Sequence, residues 1–512
     1  MRRNRRDFVR TCSAASLLAA TPMVHAANTS GSISVPNGVA SGSVTSSTAV
    51  VWSRSDRPAR MFVEVADNDD FRGARRIRGP AALEQGDFTG KVLLTGLNAG
   101  SPVFYRVLFE DLAMPGSFSD ATVGSFTTAT KGSSDINFVW SGDTAGQGFG
   151  IDVNRGGMRT YETMRKLKPD FFVHSGDVVY ADGPFEKQVK LKDGTTWENL
   201  TLDGTHKVAE TLEEFHANFR YNLLDENVRR FNAEIPMFAQ WDDHETTNNW
   251  YPGEQLVGDT RYTERSASVL SARAKRAFFD YMPMMPLGAS GERIYRTVSR
   301  GPLLDLHLID MRTYRGVNSK NRQSEMSDET ALLGRQQLDW LKRALTSSKA
   351  TWQVVCSDMP IGLIVGDGKN SENMANGDGP PLGRELELAE LLSTLKASQV
   401  RNVIWITADV HYAASHHYAP ERAQFKDFDP FWEFVSGPLH AGTFGPGKLD
   451  DTFGPEVRFC SLPDGMKQNR PPSDGFQFFG HVHIDAATKA LTVSHYNVAG
   501  DKMKTHELPA NG

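Results

Sequence analysis

Cysteine is scarce: Cys12, Cys356 and Cys460 are the only three in 512 residues. Three thiols with no Cys-x-x-Cys spacing exclude a disulfide framework and a thiolate zinc site. Any metal must then be held by oxygen and imidazole. A basic surplus is also missing, with 56 Lys plus Arg against 62 Asp plus Glu, so no stable nucleic-acid partner is expected. No apolar run reaches the roughly 20 residues that cross a bilayer as a helix, which predicts no integral membrane segment in the mature chain. No repeat of about 20 to 50 residues is visible. The chain does hold 39% apolar and 23% charged residues, which excludes disorder as the main state and suits two or three domains with cores of their own.

The amino terminus reads as an address. Five arginines in the first ten residues precede the apolar run 13–24, and Val24-His25-Ala26 offers a small-residue cleavage site. Arg5-Arg6-Asp7-Phe8-Val9-Arg10 resembles a twin-arginine signal. Residues 1–26 are therefore expected to bring the chain to the twin-arginine export machinery and to a periplasmic or secreted location. An ordinary Arg-rich secretory leader predicts the same compartment. Cys12 leaves with this segment, and Cys356 and Cys460 are open either to pairing or to persisting as buried thiols.

Residues 27–130 show short alternating apolar runs at 48–52, 61–65, 91–94, 103–109 and 124–128, punctuated by Gly, Ser, Asn and Asp. This spacing predicts a small β-sandwich, and the segment from Leu94 to Val107 resembles the strand turn of fibronectin type III modules. After a linker at 131–135, residues 135–512 change character. The apolar run 136–140, the helically spaced Met158, Tyr161, Met164 and Leu167, and the apolar 171–173 make a βαβ unit. Its crossover sets the two strands parallel, so the residues just beyond each of them emerge at one sheet edge.

Both strands end in acid. Ser141-Gly142-Asp143 closes the first and Ser175-Gly176-Asp177 the second. Further apolar runs lead into Asp242-Asp243-His244-Glu245, into Asp310, and into Asp409-Val410-His411. One Asp after a strand is ordinarily a cap or turn former. Five such strand ends together form a cluster of like charges that persists only when cations share it. The expectation is a polynuclear metal site on an α/β sheet. Tyr180, three residues beyond Asp177, suits a strong Lewis acid that can hold a phenolate, such as ferric iron.

Gly-Asp-x-x-Tyr, Asp-Asp-His-Glu and a late Asp-Val-His, in that order, resemble the metallophosphoesterase superfamily with the iron ligation of purple acid phosphatases. Over essentially the full chain the pattern resembles the PhoD family of secreted alkaline phosphatases and phosphodiesterases. That resemblance implies a calcineurin-like α/β fold with sandwiched sheets and helical layers behind an all-β front. It also implies Asp143, Tyr180 and His411 as iron ligands, Asp177 as the bridging carboxylate, and Asp243 and Asp409 at a second metal, where carboxylates favour Ca(2+) over zinc. Some PhoD enzymes carry Cys where this chain has Asp143.

Implied with it is hydrolysis of small phosphomonoesters or phosphodiesters by a metal-activated hydroxide, with Asp177 and His244 as the catalytic pair. His244 would stabilise the developing charge or protonate the leaving alkoxide. Asp242 and Glu245 are expected to orient their neighbours. Asn248 and Asn249 are candidate contacts for the second ion or for a turn, and Arg312 is a candidate phosphate contact or a partner of Asp310. Gly480-His481-Val482-His483 imitates a closing metal motif, but its alternation and the turn at Asp485 assign it to a solvent-facing hairpin. The long stretches 366–381 and 437–455 stand as roofs over the site or as surface insertions, and 187–206 reads as another exposed excursion. Two other readings remain open: a strict phosphodiesterase on teichoic acid, phospholipid or nucleic acid, and a non-enzymatic envelope module storing calcium.

Overall fold

A computed structural model describes residues 31–286, 291–463 and 465–511; the leader read over 1–26 lies outside them. From Ile33 onward the chain packs as one body. The apolar runs are strands of two large sheets. In the nine-stranded sheet, Ile136–Ser141, Phe171–Ser175 and Met237–Gln240 run parallel side by side, and Phe478–Ile484 pairs antiparallel with the first of them. In the seven-stranded sheet, Leu304–Leu308, Trp352–Cys356, Val403–Thr407 and Phe431–Val435 form the parallel centre.

These strands are apolar on both faces because both faces are covered. Phe138, Trp140, Phe171 and Phe238 pack with Leu304, Leu306, Val354, Ile404 and Phe434 in one buried cluster between the sheets. The helices Arg159–Lys166, Leu212–Asn222, Glu226–Glu234 and Ala267–Tyr281 contribute to a second cluster on the first sheet, and Gly334–Ser347 with Glu385–Ala397 to a third on the other. The result is a β-sandwich between helical layers, the α/β class expected. The acid-bearing strands, however, belong to two sheets rather than one.

All five strands expected in the front form, joined by Val39–Gly42 and Arg75–Ala82. They make two layers around Val51, Met61, Val63, Tyr105 and Phe109. One layer continues the body's main sheet: Gly42 bridges Met237 in parallel, and Val39–Gly42, Thr48–Arg54 and Thr89–Thr95 extend the sheet outward. Cross-contacts fasten the join. Trp52 donates its indole N–H to the Asp280 carbonyl at 2.8 Å, and Asp87 accepts from Arg54, Arg220 and Tyr281.

The Gly-His-x-His motif lies on Phe478–Ile484, hairpinned with Leu491–Asn497. His483 sits opposite Asn137, at the start of Ile136–Ser141, the end remote from Asp143. Asp310 also leaves the cluster. It accepts from the Trp241 indole at 2.9 Å, from the Thr313 amide and hydroxyl, and from the Arg312 amide, the turn-forming role of a single strand-end Asp.

Candidate metal centre

Each expected ligand lies beyond the carboxyl end of a strand, and the backbone there turns abruptly. Asp143 (φ 65°), Asp177 (51°), Asp409 (64°) and His411 (59°) all occupy the left-handed region, which costs a non-glycine residue free energy and persists where surrounding structure enforces it. Gly176 (φ 108°) makes the turn before Asp177 possible; a Cβ there would lie 2.7 Å from Asp242 Cβ. The two Ser-Gly-Asp loops brace each other, with the Thr144 amide donating to the Asp177 carbonyl at 2.9 Å.

Two groups of candidate ligand atoms result, each with its atoms within 4.8 Å of one another: Asp143, Asp177 and His411, and Asp177, Asp243 and His244. Asp177 belongs to both. Around the first, the Tyr180 hydroxyl lies 2.9 Å from His411 Nε2 and 3.4 Å from Asp143 Oδ1, and His411 Nε2 is 3.2 Å from Asp143 Oδ1. His411 Nδ1 faces the Gly442 carbonyl, which can only accept; the Nε2 lone pair is thereby left for the shared space.

In the second group, the His244 amide donates to Asp177 Oδ1 at 3.2 Å, and the His244 ring stacks on Tyr180 at 4.2 Å between centroids. The Asn249 amide donates to Asp243 Oδ2 at 2.6 Å. Asp409, half-buried, stands outside both tight groups but close enough to feel Asp242, Glu372 and Asp243.

The electrostatics call for cations. Burial first, and then the neighbouring carboxylates led by Asp243, raise the Asp177 pKa well above the usual range. Burial with Asp177 and Asp143 does the same to the Tyr180 phenol. Asp143 Oδ2 and Asp243 Oδ1 are buried carboxylate oxygens without a hydrogen-bond partner among the described residues, an expensive arrangement in a dry site. A donor set of carboxylate, phenol and imidazole fits hard or strongly Lewis-acidic ions.

A sequence profile described as the PhoD-like phosphatase matches residues 138–495, and one described as its N-terminal domain matches 19–130. This chain belongs to the PhoD-like phosphatases. Alkaline phosphatase D of Bacillus subtilis (strain 168) is 27% identical to it over 445 residues, spanning 81% of this chain and 71% of that protein. Among solved structures, that of PhoD superposes with a TM-score of 0.66 at 20% identity, covering 93% of this chain and 92% of that one. Purple acid phosphatase PPD1 from yellow lupin (Lupinus luteus) seeds gives 0.55 at 12% identity, covering 93% and 74%. These two likenesses show the shared fold. As a PhoD-family member the chain is a phosphatase, an enzyme of phosphoric ester hydrolysis.

Other residues of this PhoD-like site take parts that sequence reasoning gave differently or not at all. Arg312, read from sequence as either a phosphate contact or a partner of Asp310, is wholly buried. Its guanidinium is held between Asp242 and Glu372, 3.8 Å from Asp243 Oδ2, and only its amide meets Asp310. Asn248 is exposed and uses its amide on Asp182 Oδ2 at 2.8 Å. Glu245 accepts the amides of Val178 at 2.7 Å and Asp242 at 2.9 Å.

Asp182 was missed. Buried, it accepts from His244 Nδ1 at 2.7 Å. Burial alone would lower the His244 pKa; Asp182, Asp243 and Asp242 outweigh it and carry the ring up to about 10. Asp358, at the end of Trp352–Cys356, was missed as well, and its buried carboxyl sits beside Asp242. The only advance signal for Asp182 was its place five residues past Asp177, and for Asp358 an acid two residues past an apolar strand.

Proposed function

We propose that this phosphatase is an exported, two-metal enzyme that hydrolyses small phosphomonoesters or phosphodiesters at alkaline pH. The observation that carries the reading is Asp177, one carboxylate common to two ligand groups. Asp143, Tyr180 and His411 would hold Fe(3+), and Asp243 with Asp409 a Ca(2+), the carboxylates favouring the hard ion. A cation pair so held would supply an activated water and offset charge on the phosphoryl oxygens.

The chain's own residues do the rest. The Asp177 carboxylate fixes the spacing of the two groups, and the Tyr180 ring supports His244 from one side. His244 Nδ1 is held by Asp182, while its Nε2 lies 4.0 Å from Asp243 Oδ1 at the edge of the second group. From there a protonated Nε2 can give its proton to the leaving alkoxide. Export rests on the leader at 1–26 and its likeness to a twin-arginine signal.

The test joins elemental analysis and visible absorption of the exported protein with turnover of p-nitrophenyl phosphate and its bis ester. Bound iron with a phenolate absorption band is expected, and the ratio of the two rates ranks monoester against diester hydrolysis. Asp177→Asn should lower kcat by about 100- to 1,000-fold. A variant retaining near-full activity would remove the shared carboxylate from the mechanism, and absence of turnover of either ester by metal-replete protein would favour a binding module.

A further inference from the structure

The carboxylates of the metal centre touch a second set of buried charges that phosphoester chemistry does not itself require. Three arginines, Arg312, Arg315 and Arg384, converge on one acid, Glu372, and all four are buried. Glu372 Oε1 accepts from Arg312 Nη1 and, at 2.9 Å, from Arg315 Nη1. Its main-chain carbonyl accepts from Arg315 Nη2 and, at 2.7 Å, from Arg384 Nη1. Arg312 then spans the gap to the metal centre, giving Nε to Asp242 Oδ1 and setting Nη2 3.8 Å from Asp243 Oδ2.

A second thread runs beside the first. Asn318 accepts from Arg315 and Arg384, and its amide group donates to the Asn249 carbonyl at 2.8 Å and to Asp367 Oδ2 at 3.1 Å. Asn249 is the residue whose amide holds Asp243 Oδ2.

Glu372 is brought in by the excursion 366–381, directly after the small hairpin Gly366–Asp367 and Asn370–Ser371. Two buried guanidiniums on one carboxylate, with a third on the carbonyl of the same residue, leave positive charge that must be met nearby, since a buried ion without a counter-charge is strongly disfavoured. Asp242 and Asp243 meet it. The planar fork of Arg312 can face Asp242 with one edge and Glu372 with the other, a geometry an ammonium group would not hold. With one oxygen of Asp243 fixed by Asn249 and the Arg312 side, the other, Oδ1, has no hydrogen-bond partner among the described residues and lies 4.0 Å from His244 Nε2 of the second ligand group.

We infer that Glu372 is a positioning residue of the second cation position: by anchoring Arg312 and Arg315 it sets the Asp243 carboxylate, so that docking of the excursion 366–381 completes the metal centre. This rests on the two-metal reading of the same centre. Groups that support a ligand from behind ordinarily change metal affinity by about 10- to 100-fold when removed. Coupling between docking and binding is reciprocal, so a cation bound beside Asp243 must in turn protect the excursion.

The experiment uses the full chain, stripped and titrated with Ca(2+) or Mn(2+) by calorimetry, with bound metal counted. Glu372→Gln should bind the second cation about 10- to 100-fold more weakly while the cation of the Asp143, Tyr180 and His411 group stays, and activity should return at high divalent concentration. In the wild-type chain, whose folding is not in question, adding the cation should slow hydrogen exchange at 366–381. Equal second-cation affinity in a folded Glu372→Gln protein, or exchange at 366–381 indifferent to the cation, would overturn the inference while leaving the two-metal reading intact. A wild-type chain that takes up no cation would overturn both.

Discussion

At the residue scale, the candidate ligands that could be read from sequence share one property: each comes after an apolar strand closely enough for strand and side chain to be seen together. Asp143, Asp177, Asp243, Asp409 and His411 qualify. Asp182 and Glu372 do not, because a turn acid and an acid in a Gly- and Asn-rich excursion look the same whether they serve a site or the solvent. Arg312 shows the converse, since its chemistry suited a phosphate and only the packing showed Asp242 and Glu372 closing around it. Asp182 carries a prediction of its own. Asp182→Asn keeps shape but removes the charge opposite His244 Nδ1, so the ring should lose protonation at lower pH. We expect kcat to fall by about 10- to 100-fold and the alkaline limb of the pH–rate profile to move toward neutrality. An unchanged alkaline limb would mean that Asp182 does not govern the His244 proton.

At the element scale, the excursions 366–381 and 437–455 are tied to the start of the helix Glu385–Ala397 by two buried acids. Asn376 Nδ2 donates to Glu385 Oε2 at 2.9 Å, and the Gly377 amide donates to Asp450 Oδ2 at 3.2 Å. Burial, then Asp450, pushes the Glu385 pKa up to about 9. An unfolded Glu titrates near about 4.3. Between these values the folded chain holds a proton that the unfolded chain has released. The stabilisation is therefore full below the unfolded pKa and is lost as pH rises through about 9. Asp450→Asn replaces the like charge by a neutral amide, so the fall in Tm between about pH 6 and about pH 9 should shrink by about 2 °C. Scanning fluorimetry at both pH values checks this, and an identical fall in both proteins would count against a shared proton. No sequence pattern announced the contact, because Glu385 and Asp450 lie far apart in the chain and each reads as an ordinary loop or helix-start acid.

At the scale of the whole molecule, strands were legible from alternation and apolar runs, but their partners were not. Periodicity says that residues 48–52 form a strand; it does not say that this strand extends the sheet carrying Asp143 and Asp177. Nor does it divide the acid-bearing strands between two sheets. That division has a measurable effect. Asp143, Asp177 and Asp243 lie beyond strands of one sheet and Asp409 with His411 beyond a strand of the other, so cations held among them would link the two. Saturating metal at about 100 times its dissociation constant adds about 2.7 kcal/mol to stability. Chelation should then lower Tm by about 3 °C, reversibly on adding metal back; an unshifted Tm would show that the ions do not join the sheets.

The strand Ile136–Ser141 has Phe171–Ser175 on one side and Phe478–Ile484 on the other. The second neighbour lies hundreds of residues farther along the chain and leaves the ribosome well after it. Until then Ile136–Ser141 presents a bare edge, and the hollow beside it has no fixed wall. Synthesis through Ile484 must therefore precede closure of this edge of the sandwich, and until then the strand has a neighbour on one side only.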